Sequence, residues 1–577
     1  MSQATVAVDR RARFGAETWR RLFSARNIIV VVVVAAIAYL ALVPLGFLVW
    51  ETFFEDGALT LDRFREAYAA VGLGEMLRNS LLFALGTTVF AVTLGTLLAY
   101  LIVRTDVPFK PLMFAASLVP LIIPGILHTI AWIFLASPQI GVVNRWFISP
   151  VFGGRSFDIF SLWGMILVEG LHLAPLVFLL MVAALRSMDP ALEESAIMSG
   201  APLRTVFRRI TIPLVRPALY ASILIMAVRA IEAFEVPALL GMPKGVWVFT
   251  SRIWRVLNAL EPNYGQAGAY AMTLLVLTSL GVFWQTRLAK RGKAYQTVTG
   301  KGFRPRPVQL GVWRWPATLL ILGYFFVAVV MPLGIVAYAS TQRFYSPPSR
   351  AQLEFVTFEN YRAIFEHDDV KHAIVNSVVL GIGSATTVML FMAVAAWLVV
   401  RTRLPGRWMV DNLAFLPLVI PGLVLGVALL FVYLRVPLPI YGTLWILFIA
   451  YFTRYMPYGM RYASTSMYQI GGELEESAMT SGAGWWQTFR RVIIPLLTPG
   501  LVAGWIYIVV VSVRELSSSI LLYSPGNEVL SIVIWEQYSN GDLTELSALG
   551  MLMVGSLVLL VAVAYKLGAR IGVRESW

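Results

Sequence analysis

The sequence predicts an all-α integral membrane protein whose twelve transmembrane helices form two parallel six-helix repeats. Three observations lead there: scarcity of charge, apolar blocks of bilayer length, and an internal duplication. Of 577 residues, 58% are hydrophobic and 14% charged, whereas a soluble domain is about 25% charged. So few charges cannot cover a water-facing surface of this size. Runs such as Asn27–Trp50 and Leu546–Leu567 reach as helix across a hydrocarbon core of about 30 Å. The absence of cysteine excludes disulfides, cysteine nucleophiles, thiolate zinc and iron–sulfur clusters. The net charge of +14 reads as basic loops beside the membrane rather than nucleic-acid binding.

The elements follow from the apolar runs, each about twenty residues long. The first set of spans is expected near 28–50, 77–103, 112–136, 160–185, 213–240 and 267–286. A second set is expected near 315–340, 374–400, 408–434, 441–466, 495–522 and 546–568. The corresponding organisation is a tail over 1–27, a first repeat over 28–286, a basic linker over 287–314 and a second repeat over 315–577. Arg10, Arg11, Arg13, Arg20, Arg21 and Arg26 precede an apolar run longer than a signal peptide's and with no small-residue cleavage site after it, so the first span is read as retained.

Loop charge sets the expected orientation. The stretch Arg287–Arg314 holds eight basic residues and no acidic one, and 104–111 and 401–407 are short and basic. The alternate loops 51–76 and 351–373 are mixed to acidic, and 523–545 carries Glu528, Glu536, Asp542 and Glu545 without Lys or Arg. Basic loops stay inside, which puts both termini in the cytoplasm of a multi-pass protein of the bacterial inner membrane.

The halves repeat one another. Asn79-Ser80 recurs as Asn376-Ser377, Arg104-Thr105 as Arg401-Thr402, and Pro120-Leu-Ile-Ile-Pro124-Gly125 as Pro417-Leu-Val-Ile-Pro421-Gly422, all 297 residues apart. Leu192-Glu-Glu-Ser-Ala196, Gly200, Phe207-Arg208-Arg209 and Pro213 recur as Leu474-Glu-Glu-Ser-Ala478, Gly482, Phe489-Arg490-Arg491 and Pro495 at an offset of 282. The fall from 297 to 282 places a fifteen-residue excess between Gly125 and Leu192, most simply in the loop around 137–158. The prolines and glycines at 124–125 and 421–422 fall within spans and read as kinks or hinges.

The best-matched stretch is a polar loop between the fourth and fifth spans. Asp189-Pro190 reads as an N-cap and first helical proline, followed by a short helix ending at Ser199-Gly200 and a second short helix up to Pro213. A connector with no task would drift at least as far as its flanking spans, yet here the spans have drifted more. Two short helices joined at glycine form a knob suited to a groove on a soluble partner.

These loops resemble the EAA loop of binding-protein-dependent ABC importer permeases, with Glu194-Ser195-Ala196, Gly200 and Ile210-Thr-Ile-Pro213 in the first half and Glu476-Ser477-Ala478, Gly482 and Val492-Ile-Ile-Pro495 in the second. Serine replaces the pattern's first alanine, and isoleucine the leucine before proline. Two such loops in one chain resemble the fused permeases of the iron(III) importer type, and the likeness covers nearly the whole chain. It implies a type I importer permease fold. It also implies that the loops, with Glu193, Glu194, Ala196, Gly200, Arg208, Arg209 and Pro213 and with Glu475, Glu476, Ala478, Gly482, Arg490, Arg491 and Pro495, couple to two copies of a cytoplasmic ABC ATPase. Glu194 and Glu476 would face that ATPase, and a solute-binding protein would deliver cargo. The chain has no Gly-x-x-x-x-Gly-Lys-[Ser/Thr] phosphate loop, so ATP and Mg are expected on the partner, with no cofactor, metal or nucleic acid bound here and no enzymatic activity of the chain's own.

Ionisable groups at bilayer depth face a cavity or a partner. Arg229, Glu232 and Glu235, three and six residues apart, are expected on one face of the fifth span, with Arg514 and Glu515 on the eleventh. These five form a candidate passage or gate, or else a salt bridge locking the two spans. Glu169-Gly-Leu-His172 matches half of a di-iron pattern, but the equivalent positions are Tyr451 and Arg454, so structural hydrogen bonding is the expectation. Glu366-His-Asp-Asp-Val-Lys-His372 reads as a solvated loop or a contact with the delivering protein. The expected function is transport by ATP-driven alternating access, with ferric iron as cargo by resemblance. Thiamine, 2-aminoethylphosphonate and polyamines are cargoes of similar permeases. An ion-gradient-driven secondary transporter shares the span count, but gives no reason for the repeated loop.

Overall fold

The computed structural model describes residues 25–70, 72–188, 191–292 and 307–570. The arginines of the tail before Arg26, the Asp189-Pro190 cap and linker residues 293–306 lie outside the described residues. The first half comprises α1 (Ala25–Phe53), α2 (Leu73–Arg104), α3 (Lys110–Leu118), α4 (Gly125–Ala136), α5 (Leu162–Ser187), α6 (Ala191–Met198), α7 (Arg204–Glu232), α8 (Phe249–Leu257) and α9 (Tyr264–Gly292). The second repeats it as α10 (Gly311–Ser340), α11 (Asp368–Arg401), α12 (Arg407–Phe415), α13 (Gly422–Arg435), α14 (Leu444–Gln469), α15 (Glu473–Thr480), α16 (Trp485–Val513), α17 (Leu530–Asn540) and α18 (Leu543–Arg570). A two-residue hairpin, Phe54–Glu55 with Ala58–Leu59, turns through Asp56 and Gly57, both at positive φ.

Among the described residues nine helices are long and apolar enough to cross a bilayer, or eleven if each of two bent pairs counts as one span. The remaining expected span, 441–466, corresponds to α14, which is 26 residues long but too polar by composition, because it carries Arg454, Arg461 and five tyrosines. Its polar side turns into the protein, where Tyr451 and Tyr455 are buried.

Three expectations are corrected. The third and ninth spans are not continuous helices with a kink. The segments Lys110–Leu121 and Gly125–Ala136 meet at 96°, and Arg407–Val419 and Gly422–Arg435 at 107°. Pro124 and Pro421 stand extended at the break (ψ 139° and 143°), and each opens a new helix in a conformation proline accepts. Next, α7 and α16 stop at Glu232 and Val513 rather than running on to 240 and 522. Finally, the acidic stretch 523–545 is not simply a loop: α17 lies within it, with Leu530, Ile532, Val533, Ile534 and Trp535 buried. Eleven residues cannot span a bilayer but can plug into a bundle.

The excess of the first half falls between α4 and α5, where the connection runs over 137–161 against 436–443 in the second. Asn144 organises that longer loop, donating to the carbonyls of Ala136 and Phe157 at 2.8 Å and accepting from the Phe157 amide.

The halves are interlaced. The first helix of each packs on the other half: α1 against α11, α12 and α13, and α10 against α3 and α4. Arg435 Nε lies 2.6 Å from Glu51 Oε1, Tyr39 and Tyr433 hydroxyls meet at 3.1 Å, and Tyr345 stacks on Phe134 at 4.3 Å. Within each half close helix approach depends on small residues, the packing device of membrane helices. A Cβ at Gly95 of α2 would sit 2.6 Å from the Ala174 carbonyl and 2.9 Å from the Phe178 amide of α5, whereas one at Gly46 of α1 meets nothing within 4 Å.

Gly95→Ala is therefore expected to destabilise by about 1–3 kcal/mol, the cost of overpacking a backbone contact, while Gly46→Ala is neutral or stabilising. Thermal midpoints of the two variants in detergent, followed by size-exclusion fluorescence, check this, and equal midpoints would contradict the packing.

Candidate functional site

The twin loops are built on the same plan. In each, a helix of eight residues, α6 or α15, ends at a glycine in the left-handed region, Gly200 at φ +82° or Gly482 at φ +87°. Backbone bonds close the turn behind it: Gly200 N to Ile197 O at 2.9 Å and Ala201 N to Ala196 O at 3.0 Å, matched by Gly482 N to Met479 O at 3.0 Å and Ala483 N to Ala478 O at 3.1 Å. Side chains strain this conformation and glycine does not. Pro213 and Pro495 sit near the point where the wide turns 207–211 and 489–493 pass into the long helices.

The first glutamate of each loop turns inward. Glu193 turns inward, 3.6 Å from Arg104 Nη1, with side chains only 9% and 3% exposed. Its other oxygen accepts from Thr211 Oγ1 at 2.5 Å, and Arg104 Nη2 donates to the Met188 carbonyl at 3.3 Å. Glu475 turns inward likewise, 4.0 Å from Arg401 Nε. Position 493 is isoleucine where the first half has Thr211, and Trp397 Nε1 donates to Glu475 at 3.0 Å instead. Arg401 also donates to the carbonyls of Met467 and Ile470. Glu193 and Glu475, read from sequence as part of the coupling set, are thus anchors of the loop to the end of α2 or α11. That leaves Glu194 half-buried and Glu476 exposed, with Ala196 and Ala478 half-buried. Leu192, Ile197 and Met198 are exposed beside them in the first loop, Leu474, Met479 and Trp486 in the second. Arg208, Arg209, Arg490 and Arg491 are exposed too. The loops present an apolar and charged surface held from behind by a buried ion pair.

The intramembrane charges gather where the helices break. Arg229 and Glu232 share the last turns of α7, 3.8 Å apart, but Glu235 lies beyond the helix end and not on the same face. Arg514 and Glu515 likewise follow the end of α16. Arg229 donates to Tyr458 of the other half at 2.9 Å. Arg514 donates to the carbonyl of Leu121 in the first half, a group freed by the break before α4. The alternative of a salt bridge locking the fifth to the eleventh span is not met, since the ion pairs formed are Arg229–Glu232 and Arg454–Glu515. Glu515 is held within its own half by Arg454 Nε at 2.9 Å, Tyr455 OH at 3.0 Å and the Ser518 hydroxyl and amide at 3.0 and 3.1 Å.

Arg454, Tyr455 and Tyr458 are the partners that sequence reasoning missed. The available signal was Arg454 itself, a cation inside an apolar run, which entered only as the counterpart of His172. That equivalence has structural content: the Glu235 carboxylate lies against Gly125, and the Arg454 guanidinium against Gly422, the matching glycine of the other half. A side chain at either glycine would require the carboxylate or the guanidinium to move away. Glu169 and His172 lie on α5, and the His172 ring faces His128 at 5.5 Å. Neither Glu169 nor His172 makes the expected structural side-chain hydrogen bond among the described residues. In the 366–372 stretch, Glu366 pairs with Arg362 at 2.9 Å and Asp368 with Lys371 at 2.6 Å, all on the surface.

A broken third helix in each half, paired loops at a fixed place after the fourth, and a sequence that repeats both define a family. The chain matches the binding-protein-dependent transport system inner membrane component over residues 91–293 and again over 389–572. It belongs to that family. This inner-membrane permease is 25% identical over 484 residues to the Fe(3+)-transport system permease protein FbpB 2 of Haemophilus influenzae, covering 84% of this chain and 88% of that one. It is 24% identical over 442 residues to the ferric transport system permease protein FbpB of Actinobacillus pleuropneumoniae, with 76% of this chain covered and 63% of that relative's length spanned. Among solved structures, a bacterial ABC transporter involved in import of the acidic polysaccharide alginate aligns at 20% identity and a TM-score of 0.41, over 48% of the permease and 99% of that chain.

Breaking the anchor from one side strands a buried charge, which costs about 3–5 kcal/mol. Arg104→Met is expected to destabilise the permease by that order and to expose the 187–212 loop to limited proteolysis. Arg401→Met should cost less, because its pair is longer and more exposed. Thermal midpoints in detergent with protease mapping decide, and an Arg401→Met loss equal to or larger than that of Arg104→Met would contradict this assignment.

Proposed function

We propose that this permease is the fused transmembrane subunit of an ABC importer that passes ferric iron from a periplasmic binding protein into the cytoplasm. One observation carries the reading: the same short acidic helix is built twice, each copy fastened from behind by an arginine–glutamate pair and each presenting exposed apolar side chains that have nothing of this chain to cover them among the described residues. In this reading the loops are cytoplasmic, which the basic linker and loops support. Each would seat on one copy of a separate ATPase, which binds ATP and Mg. Glu194 and Glu476 would meet that partner together with Leu192, Met198, Leu474 and Met479, and the neighbouring arginines would meet its acidic surface or lipid headgroups.

ATP-driven closure of the two ATPases would draw the loops together and tilt the halves. The inward anchors transmit the movement, because Arg104 and Arg401 are the last residues of long, rigid spans. Arg229, Glu232, Glu235, Arg514 and Glu515 would line or close the path between the halves. Ferric iron is favoured as cargo because relatives matching most of this chain carry that name.

Glu194→Arg combined with Glu476→Arg is expected to reduce ATP-dependent uptake of radioactive ferric iron into reconstituted vesicles by at least about tenfold, the equivalent of about 1.4 kcal/mol of lost docking. Uptake at the wild-type rate would rule out these loops as the coupling surface. Competition by unlabelled thiamine or 2-aminoethylphosphonate in the same assay would reassign the cargo while leaving the coupling intact.

A further inference from the structure

The second half carries a cavity at its loop side whose chemistry the first half does not repeat. It measures about 420 Å³ and is lined by Arg26, Trp397, Arg401, Arg403, Glu475 and Trp485 among others. At the matching positions of the first half stand Tyr100, Asp106 and Leu203 in place of Trp397, Arg403 and Trp485. There the end of the linker fills the corresponding surface: Val308 pairs with Arg104 and Asp106 through backbone bonds of 2.8 and 3.1 Å, and the Leu310 amide donates to Asp106 Oδ1 at 2.9 Å.

Three features point to what the second-half cavity takes. Arg401 is already committed to Glu475 and to two carbonyls, but Arg26 and Arg403 have no ion-pair partner among the described residues. Arg26 lies over the Trp397 ring, 5.1 Å from its centroid, so its charge is held in place. The indole Nε1 of Trp485 is buried without an acceptor among the described residues, and such a donor calls for one. Two guanidiniums without an ion-pair partner among the described residues and an orphan N–H describe a site for an anion with several acceptor oxygens, the chemistry of a phosphate group.

The position says which phosphate. Arg26 opens the apolar span Arg26–Phe53 and Arg401 closes Asp368–Arg401, so the cavity stands where hydrocarbon gives way to headgroups. Ile28, Val31 and Val32 follow Arg26 on α1 and are about half or more exposed, a surface suited to acyl chains. The sequence before Arg26 carries five arginines against Asp9 and Glu17 alone, a net positive charge that does not complement this site. We propose that this cavity binds the headgroup of an anionic phospholipid, which ties the start of the first span to the second loop. The proposal does not depend on the identity of the cargo.

The test is native mass spectrometry of the delipidated full-length chain, titrated with phosphatidylglycerol, with phosphatidylcholine and with inorganic phosphate. Wild type is expected to retain phosphatidylglycerol in preference to phosphatidylcholine. Each of Arg26→Gln and Arg403→Gln is expected to lower phosphatidylglycerol binding by about fivefold without changing phosphatidylcholine binding or the size-exclusion profile. Arg403→Lys retains the charge and should retain most of the preference, and Trp485→Phe, which removes the N–H donor while keeping an aromatic ring, should weaken it. Equal retention of the two lipids, or unchanged phosphatidylglycerol binding in the double glutamine variant, would overturn the proposal. Displacement of the lipid by millimolar inorganic phosphate alone would also overturn it, in favour of a free-anion site.

Discussion

A helix broken at membrane depth leaves backbone groups that lipid cannot satisfy, and this chain breaks the same helix twice. Much of the interior is arranged around that requirement. The Leu121 carbonyl, freed before the first break, receives Arg514 from the opposite half. The Val419 carbonyl, before the second, lies 3.0 Å from Thr278 Oγ1, again from the opposite half. At the glycine that opens each new helix stands a charged side chain, Glu235 at Gly125 and Arg454 at Gly422. Each break is thus served partly from across the interface. The halves cannot part without leaving polar backbone stranded, and any relative movement has to pass these groups to new partners.

The interlacing of α1 and α10 adds a second restraint of the same kind. Each half lends its first span to the other, and contacts such as Arg435–Glu51 and Tyr345–Phe134 hold the loan in place. Against this braced body the two loops are the parts that face away. Each divides into an inward glutamate that fastens it and a surface that is exposed among the described residues, so a change at Glu476 need not disturb the anchor at Glu475.

Fusion into one chain removes the obligation of the halves to remain identical, and the interior has diverged further than the loops. Glu169 and His172 face Tyr451 and Arg454 as counterparts, and Arg229 faces Val511. The charge at the centre is consequently lopsided, with Glu515 bound tightly by Arg454, Tyr455 and Ser518, while Glu169 has no such partner among the described residues. The loop anchors diverge as well, since Thr211 supports Glu193 and Trp397 supports Glu475. The same arginine–glutamate geometry survives on different second partners.

The apolar spans, the duplication, the place of the fifteen-residue excess and the two acidic helices ending at Gly200 and Gly482 could all be read from the sequence. Each depends on local hydrophobicity, spacing or a glycine that the backbone demands. The tertiary structure alone decided that the breaks at Pro124 and Pro421 turn the chain by about a right angle, that Glu475 turns inward beside its exposed neighbour Glu476, and that Glu515 takes Arg454 rather than a residue of the fifth span. It also decided that α17 folds into the bundle. A string of residues records which segments avoid water, but a buried charge or a short helix acquires its partner only when segments hundreds of residues apart are brought together, because the cost of leaving it unpaired is set by surroundings that no local window contains.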